Sequence, residues 1–246
     1  MLRLALTLSL VLAVTSAAAA RAETDAAPAP VRYQLGLLSR GPTWTPERNA
    51  HTDSIQAGHM ANIVRMAEAG ALVAAGPFEH GGDLQGLFVF APEATALDSL
   101  LSLDPAIASS RLECRVWTWV APPGLGDEYR QRKAALVRDG QSPRDSMVTF
   151  GWVMLHRGPK YDSRPTPKVE QLIRDHFEYT EKLRASGSLV YAGAIEGTGE
   201  LRGVLVMQGD STALARAMRD DPAVKAGRFA PQILRWWTAW GTIPGH

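Results

Sequence analysis

Residues 56–90, QAGHMANIVRMAEAGALVAAGPFEHGGDLQGLFVF, and residues 173–207, IRDHFEYTEKLRASGSLVYAGAIEGTGELRGVLVM, align without a gap at a constant offset of 117. His59 falls on His176, Gly70 on Gly187, Gly76 on Gly193 and Gly86 on Gly203. The register holds outward from this core. Arg40-Gly41-Pro42 recurs as Arg157-Gly158-Pro159, Thr95-Ala96-Leu97 as Thr212-Ala213-Leu214, Asp104-Pro105-Ala106 as Asp221-Pro222-Ala223, and Trp119 as Trp236. Roughly two dozen of about ninety positions match, which marks an internal repeat. Among polar side chains few recur: Arg40, His59, Glu79, Thr95, Asp104 and Arg111 with their partners. The comparison separates what the fold or a site demands from what it tolerates.

Hydrophobic periodicity gives each copy the same element order. In the first, residues 33–38 read as a strand ended by the turn chemistry of Arg40-Gly41-Pro42. A helix follows over about 53–69, with Ile55, His59, Ile63 and Met66 on one face, and Gly70 stops it at the position that favours a left-handed residue. Strands at 72–75 and 84–90 flank the glycine-rich loop at Gly81-Gly82; a helix over 93–103 and a strand over 111–120 complete the unit. The second copy predicts strand 150–155, helix 168–186, strands 189–192 and 201–207, helix 212–220 and strand 232–239. Its first helix keeps Leu172, His176 and Leu183 on one stripe. The fold class is therefore α+β: two tandem ferredoxin-like βαββαβ units, each a four-stranded antiparallel sheet with helices on one face. The bare faces of two such sheets can cover each other, giving a pseudo-twofold, barrel-like pair within one chain, the intramolecular equivalent of a dimer. Residues 122–147 have no counterpart in either copy, and the polar stretch 127–139 predicts a helix that tethers the units.

Composition limits the function. The chain has 246 residues, 46% hydrophobic and 21% charged, with a formal net charge of +1, so it lacks the basic surplus with which nucleic-acid binders displace counterions from phosphate. The N-terminus combines Arg3, an apolar run over 4–14 and a small-residue end at Ala20-Arg21-Ala22. That pattern is a secretory signal, too short to span a bilayer. It divides the chain into a signal at 1–22, a flexible leader at 23–30, a first domain at 31–121, a helical linker at 122–147 and a second domain at 148–242, and predicts a periplasmic or secreted protein with no membrane attachment after cleavage. Cys114 is the only cysteine, so no internal disulfide supports either unit. The six histidines show no metal-ligand spacing, and no phosphate-cradling glycine motif or nucleophile elbow occurs, so neither a metal nor a cofactor is expected.

The segments GPTWT, QAGHMANIVRMAEAGALVAAGPFEHGGDLQGLFVF and LDPAIASSRLECRVWTW resemble the YciI-like (YCII-related) domain. The second half, with RGPKY, DHFEYTEKLRASGSLVYAGAIEGTGELRG and DDPAVKAGRFAPQILRWW, resembles a more divergent copy. The resemblance implies the dimeric α/β-barrel superfamily, whose members include small-molecule isomerases, lyases and monooxygenases that act without a uniform cofactor, and a His–Asp pair in a cleft. The family's histidine falls on His59 and His176, and the aspartate of its Asp-Pro falls on Asp104 and Asp221. Its glycine-proline after the second strand is Gly76-Pro77 in the first copy but Gly193-Ala194 in the second, a departure at the second cleft.

Each candidate has two readings. A histidine on an apolar helix face can be a satisfied core residue, or, oriented by a carboxylate, a general base near neutral pH. Asp104 and Asp221 can orient that base, or can cap a short helix that begins with proline, a role worth about 1 kcal/mol. Arg40 and Arg157 can hold an anionic substrate bidentately or be solvated loop charges, and Gly76 and Gly193 can line the cleft with backbone. The tryptophans at the last strands read as core between the sheets, or as a ligand-stacking wall. The leading function is a lyase or isomerase with a small-molecule cleft in each half; the alternatives are a non-catalytic binding or stress-related module that uses the same cleft, and a purely structural unit.

Overall fold

Each βαββαβ half contributes four strands to one closed barrel. The computed structural model describes residues 28–141 and 145–246; the signal expected at 1–22 lies outside them. The elements are β1 (Val31–Arg40), α1 (Ala50–Glu68), β2 (Leu72–Glu79), β3 (Leu84–Phe90), α2 (Leu97–Ser102), α3 (Pro105–Ala108), β4 (Leu112–Ala121), α4 (Asp127–Arg138), β5 (Met147–Arg157), α5 (Pro167–Ala185), β6 (Leu189–Ile195), β7 (Leu201–Met207), α6 (Ser211–Asp220), α7 (Pro222–Lys225) and β8 (Phe229–Ala239). Around the barrel the order is β1-β3-β2-β8-β5-β7-β6-β4, with every pairing antiparallel. Strands of the first half run β4-β1-β3-β2 and those of the second β8-β5-β7-β6, so two seams close the ring. One pairs Phe78 with Trp236 and Glu79 with Arg235; the other pairs Trp119 with Ile195 and Val120 with Ala194.

Strand alternation assigns the core. Leu35, Leu37, Leu87, Val89, Trp152, Met154, Val204 and Val206 point into the barrel. Their neighbours Leu38, Phe88 and Phe90 pack outward beneath α1 and α2, and Val153, Leu155, Leu205 and Met207 beneath α5 and α6. Inside, Trp119, Trp152 and Trp236 are fully buried and meet edge to face, with ring centroids 5.6 and 5.2 Å apart. Of the tryptophans expected between the sheets, Trp119 and Trp236 fill the barrel together with Trp152 of β5, Trp117 is partly buried against them and Trp237 is exposed.

The seams depend on two glycines. A β-carbon on Gly76 would stand 2.0 Å from the Trp237 carbonyl oxygen, and one on Gly193 would stand 2.4 Å from Trp119 Nε1 and 2.5 Å from the Val120 oxygen. Any side chain there would force the halves apart. Residues 241–246 fold back onto the start of α4: Thr242 accepts from the Gly126 amide at 2.8 Å, and Ile243 is wholly buried against the barrel core beside Leu125.

Candidate functional site

α1 begins where its sequence supplies a capping box: Asn49 accepts from the Thr52 amide at 3.0 Å while the Thr52 hydroxyl accepts from the Asn49 amide at 2.9 Å. The helix then lies against α3 so closely that a β-carbon on Gly58 would meet Pro105 at 2.7 Å. That approach brings His59 to Asp104. His59 Nδ1 lies 2.8 and 3.0 Å from the two carboxylate oxygens of Asp104. The His59 ring stacks on Phe88 with centroids 5.9 Å apart.

Asp104 is completely buried and its two oxygens serve three donors. Besides His59, the carboxylate accepts from Asn62 Nδ2 at 3.2 Å and from the Ala106 amide at 2.9 Å, so it caps α3 as it orients the imidazole. Asn62 in turn accepts from Arg65 Nη2 at 2.6 Å. Burial pushes the Asp104 carboxyl upward, but the hydrogen bond and attraction of His59, with the bonds from Asn62 and Ala106, hold it below the ordinary value of 3.8. An ionised carboxylate can only accept, so the proton of a neutral His59 sits on Nδ1 and Nε2 carries the free lone pair.

The second half repeats the contact. His176 Nδ1 lies 2.7 Å from Asp221 Oδ2, and Asp221, also fully buried, accepts from the Ala223 amide at 2.8 Å as the cap of α7. Here His176 meets Phe229 edge to face at 5.3 Å, and the position of Asn62 is taken by Tyr179, whose hydroxyl donates to the Ala217 carbonyl at 2.9 Å. Burial, then the charges of Asp220 and Asp221, push the Tyr179 hydroxyl up. A shallow pocket of about 390 Å³ opens between α5 and α6, lined by Tyr179, Leu183, Ala213, Arg216 and Asp220 among others. Neither His176 nor Asp221 lines it.

The other candidates lie elsewhere. Arg40 stacks on Trp44 at 3.8 Å and reaches Asp83 at 3.7 Å; Arg157 stacks on Tyr161 at 4.7 Å and reaches Glu200 at 3.7 Å. Both tie a loop to a hairpin, and neither is hydrogen-bonded to a His–Asp pair. Gly76 and Gly193 stand at the seams, where strand approach accounts for them. Asn62 and Arg65 escaped the sequence reading because they do not recur at 179 and 182.

Residues 151–238 match the YCII-related domain family. No curated protein matches the sequence. Among solved structures the chain is similar to a protein provisionally described as a chlorite dismutase, at 15% identity and a TM-score of 0.54, over 86% of this chain and 97% of that one. It is also similar to a mutant chlorite dismutase from Candidatus Nitrospira defluvii in complex with cyanide, at 12% identity and a TM-score of 0.51, over 86% and 92% of the two chains. At such identities the likeness is one of fold. The YCII-related match thus covers the second half from β5 to β8, and the closed antiparallel barrel resembles the fold of those solved structures.

Proposed function

We propose that the chain is a secreted or periplasmic tandem YciI-like protein whose halves, each a ferredoxin-like unit, hold a histidine ready to exchange a proton with a small molecule. In this reading His59 and His176 act through Nε2, while Asp104 and Asp221 fix the tautomer and stabilise the imidazolium. One observation carries it: the same histidine-carboxylate contact, at 2.8 and 2.7 Å, occurs twice at the same offset although most surface residues between have changed. The class of chemistry is cofactor-independent lyase or isomerase action on a carbon acid.

A second reading has its own support. The amides of Ala106 and Ala223 bond the same carboxylates, so each pair also clasps α1 to α3 or α5 to α7, as a purely structural unit would. Solvent-deuterium incorporation into a panel of β-keto acids and enolisable lactones, followed by proton NMR, separates the two. Catalysis predicts exchange that falls at least about 100-fold in a folded His59→Ala, His176→Ala double variant. Equal exchange in both proteins rejects proton transfer and leaves the clasp.

A further inference from the structure

The loops that follow β1 and β5 carry one device in two strengths. In the first half, Trp44 has Arg40 at 3.8 Å and Arg111 at 5.9 Å from its ring centroid. In the second, Tyr161 occupies the equivalent position and gathers three guanidinium groups: Arg228 at 4.5 Å, Arg157 at 4.7 Å and Arg202 at 6.0 Å. The third is the difference between the halves, since the residue matching Arg202 is Gln85.

The local carboxylates do not balance these charges. Glu200 approaches Arg157 at 3.7 Å but its side chain is 76% exposed. Asp162 is hydrogen-bonded to Arg164 at 3.0 and 2.9 Å, and those bonds, with a smaller attraction from Arg228, pull its carboxyl down to about 2. Arg202 and Arg228 form no ion pair among the described residues; Arg202 donates to the Gly197 carbonyl and Arg228 to the Asp162 carbonyl, the latter at 2.6 Å. Arg228 is only 9% exposed, and the Nε atoms of Arg157 and Arg228 are buried without a partner. A buried cation served by one carbonyl, two aromatic rings and the distant attraction of a carboxylate already bonded to Arg164 is under-compensated, and like charges gathered on one ring repel unless an anion joins them.

We propose that Arg157, Arg202 and Arg228, spaced around Tyr161, bind an oxyanion: the phosphate or carboxylate group of a small molecule. Guanidinium forks suit such groups because each can offer two parallel N–H donors. The Phe229 ring lies 5.7 Å from Arg228 and 5.3 Å from His176, so the anion sits one ring away from the second His–Asp pair. The site belongs to the second half alone, and it stands whether or not that pair moves protons.

Isothermal titration of the full chain at fixed ionic strength tests this, with inorganic phosphate in one arm, citrate in the other and chloride as the balancing salt. The expected result is saturable binding at one site per chain, with the preferred arm naming the group. Arg202→Gln installs what the first half already carries at the same place in the fold, and should weaken binding at least about tenfold while the ligand-free melting temperature stays within about 2 °C. Absence of saturable binding in both arms, or an unchanged affinity in Arg202→Gln, overturns the proposal.

Discussion

Asp104 holds the Nδ1 of His59 at 2.8 Å and is itself sealed from solvent, so the aspartate can be reached only by breaking the structure it supports. Asp104→Ala removes the cap of α3 and orphans a buried imidazole. The losses, about 1 kcal/mol for the cap and roughly 1–3 for the stranded ring, give an expected destabilisation of about 2–4 kcal/mol in urea unfolding. Asp104→Asn, whose side-chain carbonyl can still cap, should lose less.

Acid sensitivity follows from the same carboxylate. Its folded value lies below the ordinary 3.8, so the stability it contributes is complete above that value and disappears as pH falls through the lowered one. Unfolding free energies measured between about pH 2 and 6 should show an acid limb that is shallower in Asp104→Asn than in the parent. Superimposable curves would contradict a depressed Asp104.

The seam glycines make a contrasting pair with Gly70. Gly76→Ala drives a methyl group against the Trp237 carbonyl and should cost more than about 3 kcal/mol. Gly70→Ala meets open space and has only its φ of +73° to overcome, so about 1 kcal/mol is expected. Denaturant midpoints of the two variants check the ordering.

Cys114 should behave as an unreactive thiol. Burial, and then the charge of Asp104, push it up to about 12, leaving a thiolate fraction at pH 8 on the order of one in ten thousand. Iodoacetamide labelling is therefore expected to follow unfolding, with a rate that rises in step with denaturant; rapid labelling of the native protein would refute the assignment.

The sequence was most legible where the repeat wrote the same residue twice. His59 with Asp104, and His176 with Asp221, stood out because their spacing survives, and each pair proves to be in contact. The strand bounds were less legible. β2 runs to Glu79 and β6 to Ile195, beyond the expected 72–75 and 189–192, because those extensions pair with β3 and β7 and then with β8 and β4 across the seams. Local periodicity carries no trace of a partner more than 70 residues away. α1 starts at Ala50 rather than 53 since the Asn49–Thr52 capping box outweighs the lack of an apolar stripe there. The arginine clusters were half legible: the repeat marks Arg40 with Arg157 and Arg111 with Arg228, but not Trp44 and Tyr161, which match in role rather than identity, nor Arg202, whose counterpart is Gln85.

The Phe78–Trp236 and Glu79–Arg235 pairs give β8 a duty beyond its own sheet, because it is also the last of the eight strands to be synthesised. A nascent chain on the ribosome must therefore carry β2 and β4 as naked edges while the second half is still being made. Chaperone shielding of those two strands, or rapid translation through residues 147–239, would then govern how much of the protein escapes edge-to-edge aggregation.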